Sequence, residues 1–160
     1  MSPKGLKTPG EAIKDLEEGL IRRGRRTGGQ KYIIDQMTGM CRPPAAMFEP
    51  RLPQNRPDAK VTDKYISVNI LSSLQAAGLS PDWGGNNESF YSVSLRAEIC
   101  FNLGLTVTWE PVDSNPHHGG INGVAELYTV DRDGYEKTLT VLAKEASVLP
   151  ECVPSDAEGA

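Results

Sequence analysis

His117 and His118 are the only two histidines of the chain, and they lie side by side in Asp-Ser-Asn-Pro-His-His-Gly-Gly, residues 113–120. Histidine is the side chain best placed to move protons near neutral pH. Asn-Pro starts turns, and the glycines behind the histidines let backbone come close to a ligand. His118 is therefore a candidate acid or base, with Asp113 as a candidate carboxylate beside it. Neighbouring side chains of an extended segment point to opposite faces, so the two rings are not expected to grip one metal ion. No HxH, HxxxH or neighbouring cysteine completes a zinc set, and no metal site is assigned. The alternative is a plain turn, with one histidine hydrogen-bonded and the other solvated.

Arg22, Arg23, Arg25 and Arg26 occupy four of five consecutive positions, with Gly28, Gly29 and Lys31 close behind. Guanidinium forks suit phosphate, so these five basic residues are candidates for contact with an anionic partner. Only Tyr32 stands near them, which does not point to base stacking. The alternative is a helix end whose arginines complement the macrodipole. Trp83 and Asn86 share a Gly/Asn loop and, with Asn115 and His117, make a candidate recognition set. Trp83 equally suits plugging the edge of a core. Cys41, Cys100 and Cys152 are odd in number and widely spaced, which matches neither a disulfide framework nor a CxxC site. GxSxG, Walker, GxGxxG, HExxH and EF-hand patterns are absent, and no cofactor is expected.

These residues need elements to hold them. Over residues 8–24, Thr8 suits an N-cap, Pro9 the first helical position and Glu11 a capping box. Ile13, Leu16, Leu20 and Ile21 then fall on one apolar stripe, so an N-terminal helix ending near Gly24 is expected. Residues 27–63 lose periodicity and carry Pro43, Pro44, Pro50, Pro53 and Pro57, which reads as an extended proline-rich strap anchored by Met47 and Phe48. After it comes a strand ending in Ile-Ser-Val, then a helix capped by Asn69 and stopped at Gly78. A second strand, Phe-Tyr-Ser-Val, leads into a helix capped by Ser94 and stopped at Gly104. Leu105, Val107 and Trp109 alternate as in a half-buried strand. The His turn comes next, then a strand over residues 121–130 interrupted at Gly123, a turn at Asp-Arg-Asp-Gly, and a last helix burying Leu139, Leu142 and Ala143. No internal repeat is read. The expected fold class is α+β: a small sheet with three packed helices, preceded by the N-terminal helix and the strap.

The chain has 160 residues, enough for one domain with an appendage. Three parts are expected: a basic helix and strap at 1–60, a compact α+β domain at 61–150 and a polar tail at 151–160. The net charge of −4 divides unevenly, at +5 over residues 1–66 and −9 over the rest. A basic front on an acidic body suggests an arm that docks on something anionic, or on the body itself. No apolar run is long enough for a membrane span and no apolar leader is visible, so a cytoplasmic protein without a membrane partner is expected.

Residues 65–123 resemble a group of small bacterial proteins of uncharacterised activity. The resemblance rests on Ser67–Val68, Tyr91–Ser94, Leu103–Gly104–Leu105, Pro116–His117–His118 and Ile121–Asn122–Gly123. It implies a bacterial cytoplasmic origin and singles out His118 over His117 as the retained position. Gly119–Gly120 stand where that pattern has small apolar residues.

The leading expectation is a protein-interaction module or accessory subunit of a bacterial multi-component system, docking through its basic N-terminal arm. A small hydrolase or transferase on a phosphate-bearing substrate is the first alternative, with His118 as acid/base and the arginines holding phosphate. A nucleic-acid-binding protein acting through residues 22–31 is the second.

Overall fold

A computed structural model describes residues 7–50, 65–83 and 89–149. In chain order the elements are β1 (Ala12–Ile13), β2 (Gly19–Arg25), β3 (Ile33–Ile34), β4 (Cys41–Arg42), β5 (Ile66–Ile70), α1 (Leu71–Ala76), β6 (Phe90–Arg96) and α2 (Ala97–Asn102). They continue as β7 (Thr106–Trp109), β8 (His118–Asn122), α3 (Val124–Val130), α4 (Arg132–Glu145) and β9 (Ser147–Val148). Seven strands form one sheet in the order β1-β7-β8-β5-β2-β6-β9, every neighbouring pair antiparallel, and β3 and β4 form a separate hairpin. The fold is mixed α+β. Among the described residues no helix is long and apolar enough to cross a membrane.

Strand registers assign each residue to a sheet face. Leu20, Ile70, Leu95, Val107 and Ile121 share one face. They merge into a single buried cluster with Cys100 of α2, Val124 of α3, and Tyr135, Leu139 and Leu142 of α4. The other face carries Ile21, Arg23 and Arg25 of β2, Ser67 and Asn69 of β5, Phe90 and Ser92 of β6, and His118 of β8. Met47 and Phe48 are fully buried and tie the start of the proline-rich segment to the core. The rest of that strap, with Pro53 and Pro57, lies outside the described residues, as does the 151–160 tail.

The N-terminal helix is not formed. Leu20 and Ile21 are both buried, on opposite faces of a strand, while Leu16 of the expected stripe is 50% exposed. The cap residues make turns instead. Thr8 accepts at its carbonyl from the Glu11 N–H, and the Asp15 carboxylate accepts from the Glu17 N–H. A short amphipathic helix holding Gly19 and Gly24 would bury one stripe only. As a strand between β5 and β6, the same residues satisfy both backbone edges and bury both faces. Residues 19–25 are therefore part of the sheet and not of an arm beside it, since β2 sits between β5 and β6.

The same logic corrects other expectations. Asn69 and Ser94 are not N-caps but strand residues, and α1 and α2 start directly after Ile70 and Arg96 without a side-chain cap. The strand expected over 121–130 stops at Asn122. Gly123 turns with φ +110° and α3 begins, so among the described residues the expected three-helix body holds four α-helices. The expected Asp-Arg-Asp-Gly turn is the start of α4, where the Asp131 carboxylate accepts from the Gly134 N–H. Leu139, Leu142 and Ala143 of α4 face inward as expected.

A repeat overlooked in the sequence is visible in the elements. β5–α1 and β6–α2 each run Ser-Val-polar-aliphatic, a short helix and Gly-Leu. Both helices end in a Schellman motif. Gly78 and Gly104 take positive φ, and the Leu79 and Leu105 N–H groups donate to the Leu74 and Cys100 carbonyls. The two strands flank β2 from either side. The helices, however, lie on different faces. Ala97 and Cys100 of α2 belong to the main buried cluster. Leu71 of α1 lies against Gly19, whose position in β2 belongs to the opposite face. Glu18 holds this junction, its carboxylate accepting from the Ser72 hydroxyl at 2.5 Å and from the Ser72 and Gly19 N–H groups at 3.0 Å.

Candidate functional site

The sheet face opposite the main buried cluster contains, among the described residues, an open groove of about 650 Å3. Ser67 and Ser92 line its floor, and Tyr65, Trp83, Phe90 and Pro50 line its walls. Three rows of cross-strand partners organise it. His118 faces Asn69, Asn69 faces Ile21 and Ile21 faces Ser94. In the next row along β2 Arg23 faces Ser92, and in the row after that Arg25 faces Phe90. The two ends therefore differ in chemistry, with imidazole and amide at β8–β5 and guanidinium at β2–β6.

At the first end the hydrogen bonds determine which atom donates. His118 Nδ1 lies 2.8 Å from the Glu110 carbonyl oxygen. A carbonyl only accepts, so Nδ1 carries the proton in the neutral ring and Nε2 holds a lone pair. Tyr65 meets this ring edge-on at 5.7 Å. The His117 N–H donates to Asn115 Oδ1 at 2.9 Å, which orients that amide, and Asn115 Nδ2 donates to Asn69 Oδ1 at 2.7 Å. The chain of bonds leaves Asn69 Nδ2 as a donor. Gly120 makes room here, since a Cβ at that position would lie 2.6 Å from the Tyr65 ring. On the covered face a Cβ at Gly119 would lie 2.5 Å from Ile70 Cδ1. This Gly-Gly pair thus lets a side chain sit close on either side of β8.

At the second end strand alternation divides the basic run. Arg23 and Arg25 point to the groove face, with the Arg23 guanidinium 4.3 Å from the Phe90 ring centre. Arg22 points the other way yet reaches the groove wall, donating from Nε to the Met47 carbonyl at 2.6 Å and from Nη1 to the Ser67 carbonyl at 2.7 Å. It ties the buried Met47 segment to β5. Arg26 is half-buried past the end of β2, and Lys31 is exposed and lines no part of the groove. The five expected basic residues are not one patch.

The remaining candidates scatter. Asp113 is exposed in the turn closed by the Val112–Asn115 bridge, and no hydrogen bond or ion pair joins it to His118. The Glu110 carbonyl is the orienting partner instead. His117 is buried, with Nδ1 2.7 Å from the Ser73 hydroxyl and its ring edge-on to Trp83 at 5.4 Å. Trp83 is therefore half plug and half groove wall. Asn86 lies outside the described residues. Burial pushes the Cys100 thiol up to about 12 and also raises Cys41, so neither is an activated nucleophile.

Sequence reasoning missed Asn69, Ser67, Ser92, Phe90 and Tyr65. Alternation in Ile-Ser-Val-Asn-Ile and Phe-Tyr-Ser-Val-Ser already puts the polar members of both strands on one face. What hid the site was the helix assigned to residues 8–24, because β2 supplies the strip between them. Comparison with known proteins adds no name to this geometry: no family model, no curated protein and no solved structure matches the chain.

Proposed function

We propose that the chain is a recognition module that binds a phosphate-bearing ligand in the groove on the sheet face opposite the main buried cluster. The observation that carries this reading is the placement of Arg23 and Arg25 side by side on that face, with Arg22 at the wall. The chain as a whole is acidic, at −4, yet among the described residues that line the groove Glu49 is the sole carboxylate. Concentrating cations in one concave site of an acidic protein attracts anions to that site. The exposed Ser67 lines the same groove, and its hydroxyl suits a phosphate oxygen.

Isothermal titration of the full chain with a panel of phosphate monoesters at low ionic strength tests this. Arg25→Ala and Arg23→Ala should each weaken binding by about tenfold or more, while the exposed Arg25 position costs less than about 0.5 kcal/mol of stability. Absence of binding by every phosphate ester, or unchanged affinity in both variants, removes the reading.

A further inference from the structure

We propose that the phosphate arrives as part of a nucleoside monophosphate unit, with its base held at the His118–Asn69 end of the groove. This rests on the phosphate reading above and extends it to the opposite end. His118 Nε2 offers a lone pair, because Nδ1–H is committed to the Glu110 carbonyl. Asn69 Nδ2 offers a proton, because Asn69 Oδ1 is committed to Asn115 and Asn115 is oriented by the His117 N–H. Asn69 and His118 are direct cross-strand partners on one face, which sets their Cβ atoms about 5 Å apart. An acceptor and a donor held side by side complement a planar group that carries a donor next to an acceptor. The Watson–Crick or Hoogsteen edge of a nucleobase is such a group.

The surroundings suit a flat ring. Tyr65 and Trp83 line the same part of the groove, and aromatic walls stack on bases of any sequence. Tyr65 is held over β8 by the missing Cβ of Gly120. Arg23 stands two strand steps across from His118, about 10 Å, and one row further along β2 than Ile21, a span that a ribose and the long arginine side chain together bridge between a base and a 5′-phosphate. Ser67, on the strand between, is exposed in the floor where the sugar would lie. An anion with no ring would leave the amide and imidazole unused.

The experiment is titration of the full chain with ribose 5-phosphate, the four common nucleoside 5′-monophosphates and a trinucleotide. At least one monophosphate should bind about tenfold or more tightly than ribose 5-phosphate. Asn69→Ala and His118→Phe, each checked for an unchanged melting temperature, should each collapse that preference. A trinucleotide binding far more tightly, with affinity falling steeply in salt, would identify single-stranded nucleic acid as the source of the same unit. Equal affinity for ribose 5-phosphate and every monophosphate overturns the base site and leaves the phosphate reading standing. A preference that survives both variants also overturns it. No binding by any of these ligands overturns both.

Discussion

Residues 67–79 and 92–105 both run Ser-Val, a polar residue, an aliphatic one, a short helix and Gly-Leu, but the second stretch is one residue longer. In the first, helix α1 begins right after Ile70. In the second, Arg96 adds a strand position before α2 begins at Ala97. Side chains alternate with a period of two along a strand, so one added residue sends the next helix to the opposite face. Leu71 accordingly starts α1 on the groove side, against Gly19, and Ala97 starts α2 in the main buried cluster. One helix packs on the sheet face that carries the groove and the other fills the core. A near-repeat has become two different parts through a single insertion.

The shared element is the first place to break that comparison. Both units hydrogen-bond to β2 from either side. A chain lacking residues 1–25 should lose the cooperative unfolding transition altogether, read by circular dichroism against temperature. A folded, cooperative body in that truncation would show that the N-terminal part is an arm after all.

The faces can next be separated by two core substitutions of equal kind. Leu74 of α1 and Leu142 of α4 are both fully buried. Leu74→Ala and Leu142→Ala should each cost about 2–5 kcal/mol in denaturant unfolding. Only Leu74→Ala should also weaken ligand binding in the groove, since α1 packs on the same sheet face and its Ser73 hydroxyl meets the buried His117 ring. Equal effects on binding would mean that the two units are not specialised as described.

The smallest effect is expected outside both units, in the hairpin of β3 and β4. Asp35 there accepts from the Met37 N–H at 2.8 Å and the Thr38 N–H at 3.0 Å. Thr38 and Met37 backbone donors hold its carboxyl below the usual carboxylate range. A depressed folded value means that the contribution is complete above the unfolded value and is lost as pH falls through the folded one. Amide exchange at Met37 and Thr38 should therefore speed up only under acid conditions, with both strand–helix units unaffected. Asp35→Asn should remove this pH dependence.

Much of the fold was legible. Gly78 and Gly104 mark helix ends because positive φ is needed there, and the apolar positions of α4 repeat at helical spacing on its buried side. The His117–His118 division was legible too, since neighbouring side chains in extended chain diverge. The site was legible only in part. His118, Arg23, Arg25 and Asn115 carried their own chemical signal, whereas Asn69 looked like a helix cap and Ser67 and Ser92 like ordinary strand residues.

What the sequence determined by itself is local: where glycine permits a turn, which residues can share a strand face, and how charge divides along the chain. Only the tertiary structure decided what residues 19–25 are. The helix signals read over residues 8–24, a threonine, a proline and a stripe of four aliphatics, are worth little in a segment so short. Two long-range ladders and burial on both faces outweigh them, and neither has any trace in the segment's own residues. That choice turned four consecutive-looking arginines into an alternating pair, and it brought them onto the same face as His118, more than ninety positions further along the chain.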